Sequence, residues 1–317
     1  MHLLIFRHKY YKIIKNFIKA IILCIFSLFI KNFLNRKSLK IAVATMVKME
    51  NHYIKEWVEY YYHLGCKKIF IYDNNDINGE KLEEVIKKYI SNKFVEVINY
   101  RGKVFQGISL QTLAFFDCYI NKVNHFDYLG LFDVDEFLYL GNFTKISNYL
   151  KQTKFINFDC IKFPWLVYDD NDLVNVKNND YSLNKRFTRG NYYSTTCKSI
   201  FKTKFKEINS LNRINAHGPV GFKTCDPDGI KCNNGTDKSI PYFAINKNIK
   251  KTKEYIKHFK LKTIEEFIDF KLKRLYIDRD QQKAKKYLTF SLFFSYNKKT
   301  KEKLDFIKKR GFNISDI

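Results

Sequence analysis

The chain has 317 residues, 45% hydrophobic and 17% aromatic, which allows one large α/β domain or two ordinary ones and excludes general disorder. Its formal charge of +25 lies in the flanks: residues 1–40 hold nine Lys/Arg and no acid, residues 246–317 hold 21 against nine, and the middle holds 27 against 23. Basic flanks beside apolar residues suit an anionic membrane surface at least as well as nucleic acid, and seven scattered cysteines with no Cys-x-x-Cys pair indicate neither a zinc site nor a disulfide framework.

The first segment, 1–38, begins basic and carries an uncharged stretch, Ala20 to Ile30, of 11 residues. A bilayer-spanning helix needs roughly 20. An interfacial helix with snorkelling lysines is the expectation, with a single short span, a core helix or a leader as alternatives. From Lys40 strands alternate with helices. Ile41–Val47 reads as a strand covered on both faces. Asn51 is placed as the N-cap of a helix that carries Ile54, Trp57, Val58 and Tyr61 on one side and stops at Gly65. Lys68–Tyr72 is the second strand and runs into the polar loop 73–79. A helix over about 80–90, a strand over 94–99, a helix over about 107–123 and a strand ending at Asp133 follow. Such alternation builds a mostly parallel sheet, whose ligands bind beyond the carboxyl ends of its strands.

Past Asp135 the pattern loosens. Ile161–Tyr168 reads as an edge strand because Pro164 interrupts it. Tyr192–Phe201 is a strand with Lys198, and Ala216-His217-Gly218-Pro219 is a tight turn presenting a histidine. Residues 223–240 are expected to form a mobile loop, a candidate lid. Thr263-Ile264-Glu265-Glu266 is a capping box opening a helix. The domain organisation expected is a membrane-associating segment over 1–38, one catalytic domain over 39–290, and a basic tail over 291–317.

The chemistry concentrates in Leu131-Phe132-Asp133-Val134-Asp135-Glu136-Phe137. Two carboxylates at i and i+2 beyond a buried strand suit a hard divalent cation, which takes oxygen ligands and shares them with phosphates. Acidic residues there can also be plain turn formers. Glu50, Asp73 and the Asp133/Asp135 pair all follow strand ends, so three segments converge on one rim. Glycine-rich nucleotide fingerprints are absent.

Several blocks, in order, resemble the family-92 and family-2-like glycosyltransferases. They are Lys48-Met49-Glu50 through Glu56-Trp57 and Tyr60, then Tyr72-Asp73-Asn74-Asn75, Gln111 with Asp117-Cys118, and Phe132-Asp133-Val134-Asp135-Glu136-Phe137-Leu138. Trp165, Lys198, His217-Gly218-Pro219 and Ile256-Lys257-His258-Phe259 complete the series, which spans about 41–275. Met49 stands where the family usually has Asn, Lys257-His258-Phe259 where it has Asn-His-Tyr, and Tyr168-Asp169 where it has Phe-Gly.

The resemblance implies a GT-A fold: a Rossmann-like, mostly parallel α/β sheet flanked by helices, with a mixed acceptor-side portion and C-terminal helices. It implies a metal-dependent, inverting transfer of a sugar from a nucleotide-sugar donor, a UDP-sugar being favoured, to a glycan or lipid-linked acceptor in surface polysaccharide synthesis. Asp133 and Asp135, with His258 as a third ligand, would hold Mn²⁺ or Mg²⁺. Lys48, Glu50, Asp73, Asn74, Gln111, Asp133 and Lys198 would bind the nucleotide sugar. Glu136, Asp169, Asp170 and His217 are the candidates for the base, with Glu136 alternatively only orienting the metal ligands. The protein is expected in the cytoplasm, on an anionic membrane surface, without a nucleic-acid partner. A nucleotide-sugar or glycan binder without turnover is the alternative, and a basic nucleic-acid binder the remoter one.

Overall fold

A computed structural model describes residues 38–103, 109–204, 211–241, 243–245, 251–274 and 289–313, with positions 15, 16, 18, 19 and 21. The expected membrane-associating segment, 1–38, otherwise lies outside the described residues. Among these residues no helix is long and apolar enough to cross a membrane.

One half of the molecule is a parallel sheet in the order β3-β2-β1-β4, made of β1 (Ile41–Val47), β2 (Lys68–Asp73), β3 (Val95–Asn99) and β4 (Tyr128–Leu131). β1 and β4 are buried almost throughout because strands and helices cover both faces, which is why their sequence is continuously apolar. The connections run through α1 (Asn51–Leu64), α2 (Leu82–Ser91) and α3 (Leu110–Asp117), the last passing into a wider turn over Cys118–Lys122. α1 buries Tyr53, Ile54, Trp57, Val58, Tyr61 and Leu64 along one stripe. It ends at Gly65, whose φ of 93° is a left-handed conformation that glycine adopts without a Cβ penalty. Its cap is Glu50 rather than Asn51; Asn51 opens the helix, and its N–H donates to Glu80 Oε2 at 2.9 Å.

The other half is mixed and carries the short helices α4 (Ile146–Leu150) and α5 (Leu183–Arg186). β4 pairs antiparallel with β7 (Gly190–Lys202), β7 antiparallel with β6 (Cys160–Tyr168), β6 parallel with β11 (Tyr255–His258), and β11 antiparallel with β5 (Glu136–Tyr139). A parallel α/β half joined to a mixed portion is the architecture the sequence called for.

Three expectations need correcting. β6 is an interior strand, not an edge, and its Pro164 is accommodated because the register with β7 shifts directly after it. The 223–240 stretch is tied down: β10 (Thr224–Cys225) pairs with β6, Cys232 N–H donates to Thr224 O, and Asn233 is buried. Of the expected tail, 291–317, the described part, 291–313, is not simply a tail. α7 (Phe290–Tyr296) and α8 (Lys301–Lys309) put Phe293 and Ile307 into a core with Leu261, Ile264, Phe267, Ile268 and Leu272. Those partners come largely from α6 (Ile264–Glu266, continuing as a wider turn over Phe267–Leu272), which opens with the expected capping box on Thr263 and Glu266. Each such buried aliphatic or aromatic side chain contributes about 1.5–3 kcal/mol.

Candidate active site

A cleft of about 380 Å³ opens where β1, β2 and β4 end. Met46, Lys48 and Glu50 come from the end of β1 and the loop behind it, Asn74 from the loop after β2, Gln111 from α3, and Asp133 to Asp135 from the loop after β4. The far wall is His258 at the end of β11 with Lys260, and Lys271 and Arg274 from the α6 segment. This is the carboxyl-end position expected of a ligand site in such a sheet. A larger cavity, about 580 Å³, lies at the amino ends of β1 and β2 among Leu39, Tyr62, Cys66, Lys67, Lys145 and Lys151; with no acidic group, it is not the chemical site.

The acidic loop is held in place from below. Gly130 lets the chain pass Phe132, since a Cβ there would meet its ring at 2.6 Å. Asp133 N–H donates to Glu136 Oε2 at 2.9 Å, and Lys198 Nζ reaches both Asp133 Oδ2 at 2.9 Å and Glu136 Oε2 at 3.3 Å. Gln111 Nε2 donates to Asp133 Oδ1 at 2.8 Å. Asp135 is gripped by Lys271 at 3.0 Å and Lys262 at 3.3 Å, and its Oδ1 faces His258 Nε2 at 3.6 Å. Phe259 N–H donates to the Asp135 carbonyl, which ties β11 to the same loop.

Charge states follow from these contacts. Burial alone would raise both aspartates, but Lys198 beside Asp133 and Lys271 and Lys262 beside Asp135 outweigh it and hold both below the usual carboxylate range. Burial pushes the His258 imidazole down to about 3, so it is neutral, and the Lys271 ammonium down to about 8 against the pull of Asp135. Glu50 is paired with Arg274 at 2.5 Å, while its Oε2 is buried with no donor among the described residues.

The structure thus brings Lys48, Glu50, Asn74, Gln111, Asp133, Asp135 and His258 to one cleft. It separates others from it. Asp73 is buried, with Oδ1 taken by Asn75 and Oδ2 by Arg101 at 2.7 Å, so it knits the loop after β2 instead of facing a ligand. Lys198 is 1% exposed and spends its charge on Asp133 and Glu136, not on a phosphate. Of the expected bases, Glu136 is wholly buried and works as a strut for Asp133, the alternative role the sequence left open. Burial pushes its carboxyl well above the usual range against the pull of Lys198. Asp170 is buried against Lys303 of α8 at 2.5 Å. His217 sits on the turn between the short strands β8 (Ile214–Asn215) and β9 (Gly218–Pro219). Its Nδ1 lies 2.8 Å from Cys197 O, burial lowers it to about 4, and its ring packs on Trp165, which packs in turn on His258 at 4.2 Å.

Sequence reasoning missed Lys260, Lys262, Lys271 and Arg274. They belong to the basic flank 246–317, whose charge was read as suiting an anionic membrane surface at least as well as nucleic acid, yet four of its cations surround the acidic centre. The available signal was the spacing of Lys271 and Arg274, three residues apart and so neighbours on one helix face.

An oxygen, oxygen, nitrogen donor set of Asp133, Asp135 and neutral His258 has the chemistry of a manganese site. Among the described residues no three acidic, histidine or cysteine side chains already form a metal cage. A cation held by Asp133, Asp135 and His258 would need further ligands, such as the phosphates of a substrate.

The sequence model of glycosyltransferase family 92 matches residues 37–270. A family 92 protein of Ricinus communis is 29% identical over 112 residues, 35% of this chain and 19% of that protein. One of Oryza sativa subsp. japonica is 30% identical over 110 residues, 34% of this chain and 18% of that protein. One of Arabidopsis thaliana is 32% identical over 100 residues, 32% of this chain and 16% of that protein. The chain thus matches less than a fifth of the length of these relatives. Among solved structures, the mannosyltransferase PcManGT from Pyrobaculum calidifontis, in complex with GDP-Man and Mn²⁺, covers 44% of this chain and 41% of its own at 8% identity and a TM-score of 0.29. TarS 1-349 of S. aureus covers 86% and 79% at 11% identity and a TM-score of 0.37.

Proposed function

The chain belongs to glycosyltransferase family 92, and from that premise we propose that it moves a sugar from a nucleotide-sugar donor to a hydroxyl of a glycan or lipid-linked acceptor, with inversion at the anomeric carbon. The observation that carries this reading is the cleft itself, where Asp133, Asp135 and His258 meet Lys48, Lys260, Lys271 and Arg274. A donor's diphosphate brings negative charge that grows as the sugar leaves, and a preorganised cationic cleft answers that need. Asp133, Asp135 and His258 would hold Mn²⁺ or Mg²⁺, which supplies Lewis-acid stabilisation of the departing diphosphate.

The residues of the chain do the rest. Lys48, Lys260, Lys271 and Arg274 attract and orient the phosphates, and Glu136 and Lys198 fix Asp133 so that no rearrangement is needed during transfer. The bond from the anomeric carbon to the phosphate oxygen breaks and its electron pair leaves with the nucleoside diphosphate. The acceptor oxygen bonds to that carbon from the opposite face, and its proton passes to a general base, for which Glu50 is the lining carboxylate not given to the cation. A uridine donor and a role in surface polysaccharide synthesis complete the proposal. Residues 1–38 would contact the cytoplasmic face of an anionic membrane. The basic cavity at the amino ends of β1 and β2, beside Ser38 and opposite the cleft, supports that orientation.

Calorimetric titration of UDP, GDP and CMP, with and without Mn²⁺, tests the central claim. One nucleotide should bind with manganese and lose at least about tenfold in affinity in Asp135→Asn, equivalent to about 1.4 kcal/mol. No nucleotide binding under any condition would end the transferase reading. Unchanged co-sedimentation with anionic vesicles after deletion of 1–38 would end the membrane one.

A further inference from the structure

A second cavity, about 460 Å³, is walled by Val167, Asn191, Tyr192, Ser295 and Tyr296. Its volume lies within the range of small-ligand sites. The strand that carries it is shaped for the purpose. Val167 pairs with Tyr192 but Tyr168 pairs with Gly190, so Asn191 is one residue too many for the ladder. In a regular strand successive side chains face opposite sides, and a bulge re-aims one of them. Here it allows Asn191 and Tyr192, direct neighbours, to line the same space.

The opposite wall is α7, beyond residue 270 where the family match ends. It is held firmly: Asn297 Oδ1 accepts the Asp170 N–H at 2.8 Å, and Lys303 of α8 pairs with Asp170 in full burial. Tyr192 is 52% exposed, and its ring lies 5.9 Å from that of Tyr296 at 74°. The cavity adjoins the cleft. Val167 is in register with His258, and Lys260, which lines the cleft, carries its Nζ 4.9 Å from the centre of the Tyr296 ring.

The lining offers two aromatic rings with hydroxyls, the Asn191 amide oxygen, its Nδ2 being engaged by Asp169, and the Ser295 oxygen as acceptor, its hydroxyl donating to Leu292 O at 2.8 Å, and none of the five lining side chains is charged. Such a surface takes a neutral ring with an apolar face for the tyrosines and hydroxyls for the polar groups. We infer that this cavity binds a pyranose unit of the acceptor, beside the donor cleft, and that the C-terminal helices set which acceptor is used. The inference rests on the transferase reading for the word acceptor.

Saturation-transfer NMR on the full chain is the test, with the methyl β-pyranosides of glucose, galactose, mannose and N-acetylglucosamine as probes and uridine as the control ring. At least one glycoside should give ring-proton signals in the wild type. Tyr192→Ala and Tyr296→Ala should weaken its affinity about five- to tenfold, as loss of one aromatic contact predicts. Ser295→Trp, an exposed position that fills the space without removing a ring, should abolish the signals, while manganese-dependent nucleotide affinity stays within twofold in all three. No glycoside signal, signals indifferent to all three substitutions, or uridine alone responding to them would overturn the inference. Nucleotide binding in the same samples separates the two ideas: sugar signals without any nucleotide binding refute the transferase reading, and nucleotide binding without sugar signals refutes the cavity.

Discussion

Asp170 belongs to the architecture rather than to the chemistry, and the pair it makes with Lys303 gives a measurement that decides the point. Both side chains are fully buried and 2.5 Å apart, and Lys303 Nζ also donates to Lys298 O at 2.9 Å. Burial raises the Asp170 carboxyl above its ordinary range, with Lys303 pulling it back. Lys303→Met keeps the aliphatic stem and removes the charge, leaving a buried carboxylate whose remaining support includes the Asp172 N–H at 3.0 Å. Stranding one member of such a pair costs about 3–5 kcal/mol. Asp170→Asn strands Lys303 and should cost a similar amount. The double variant removes both charges, so its loss should fall short of the sum of the singles by about 2–3 kcal/mol. Urea unfolding of the four proteins at constant m-value gives these numbers. Single losses below 1 kcal/mol, or strict additivity, would show that the pair holds nothing together. Turnover is an independent check: the folded double variant should retain transfer, whereas a catalytic Asp170 would leave it dead.

Three further outcomes concern stability. Met49 has a φ of 55°, in the left-handed region that asparagine tolerates better, so Met49→Asn should raise stability by about 0.5–1 kcal/mol; a loss in urea unfolding would contradict this. Gly130→Ala drives a methyl to 2.6 Å from the Phe132 ring and should cost about 1–3 kcal/mol; an unchanged unfolding midpoint would show that the ring gives way freely. Burial alone would raise the Glu266 carboxyl, but Arg186, at 2.6 Å, holds it below 4.5. Because the folded value is the lower one, the stabilisation is present above about pH 4.5 and disappears as pH falls through the folded value. Stability measured from pH 6 down to pH 3 should therefore decline less steeply in Glu266→Gln than in the wild type, and parallel declines would remove Glu266 from the account.

The sequence disclosed what local rules govern. β1 could be read because a strand covered on both faces has no polar side to hide, and α1 because its buried stripe repeats at helical spacing and stops at a left-handed glycine. The Asp133/Asp135 loop could be read because a strand end and a motif coincide. Long-range charge pairing was not legible. Nothing near Lys198 says that its partners are Asp133 and Glu136, 65 and 62 positions earlier, nor does anything near Lys271 announce Asp135. The same blindness left Lys260 and Arg274 as mere charges of a basic flank and sent Asp73 to a ligand. Pro164 misled in another way. The rule that bars proline from interior strands assumes an unbroken ladder, and here the register shifts beside it.

The clamp of α1 on β5 has a consequence for how the protein behaves in company. β5 ends the sheet, and an end strand with free N–H and C=O groups invites another chain to pair with it. Here side chains of one helix take the part of the missing neighbour. Trp57 Nε1 and Tyr61 Oη donate to Glu136 O, Tyr60 Oη donates to Leu138 O, and Leu138 N–H donates to Tyr61 Oη. The end beside the acidic loop is thereby sealed against strand addition, and aggregation by that route is left to β3, the other margin, where Glu96 already engages Lys68 and Lys122. Two of the three rings that seal this margin, Trp57 and Tyr61, also hold the Glu136 backbone beneath Asp133, so colloidal safety and the geometry of the cleft depend on the same two side chains.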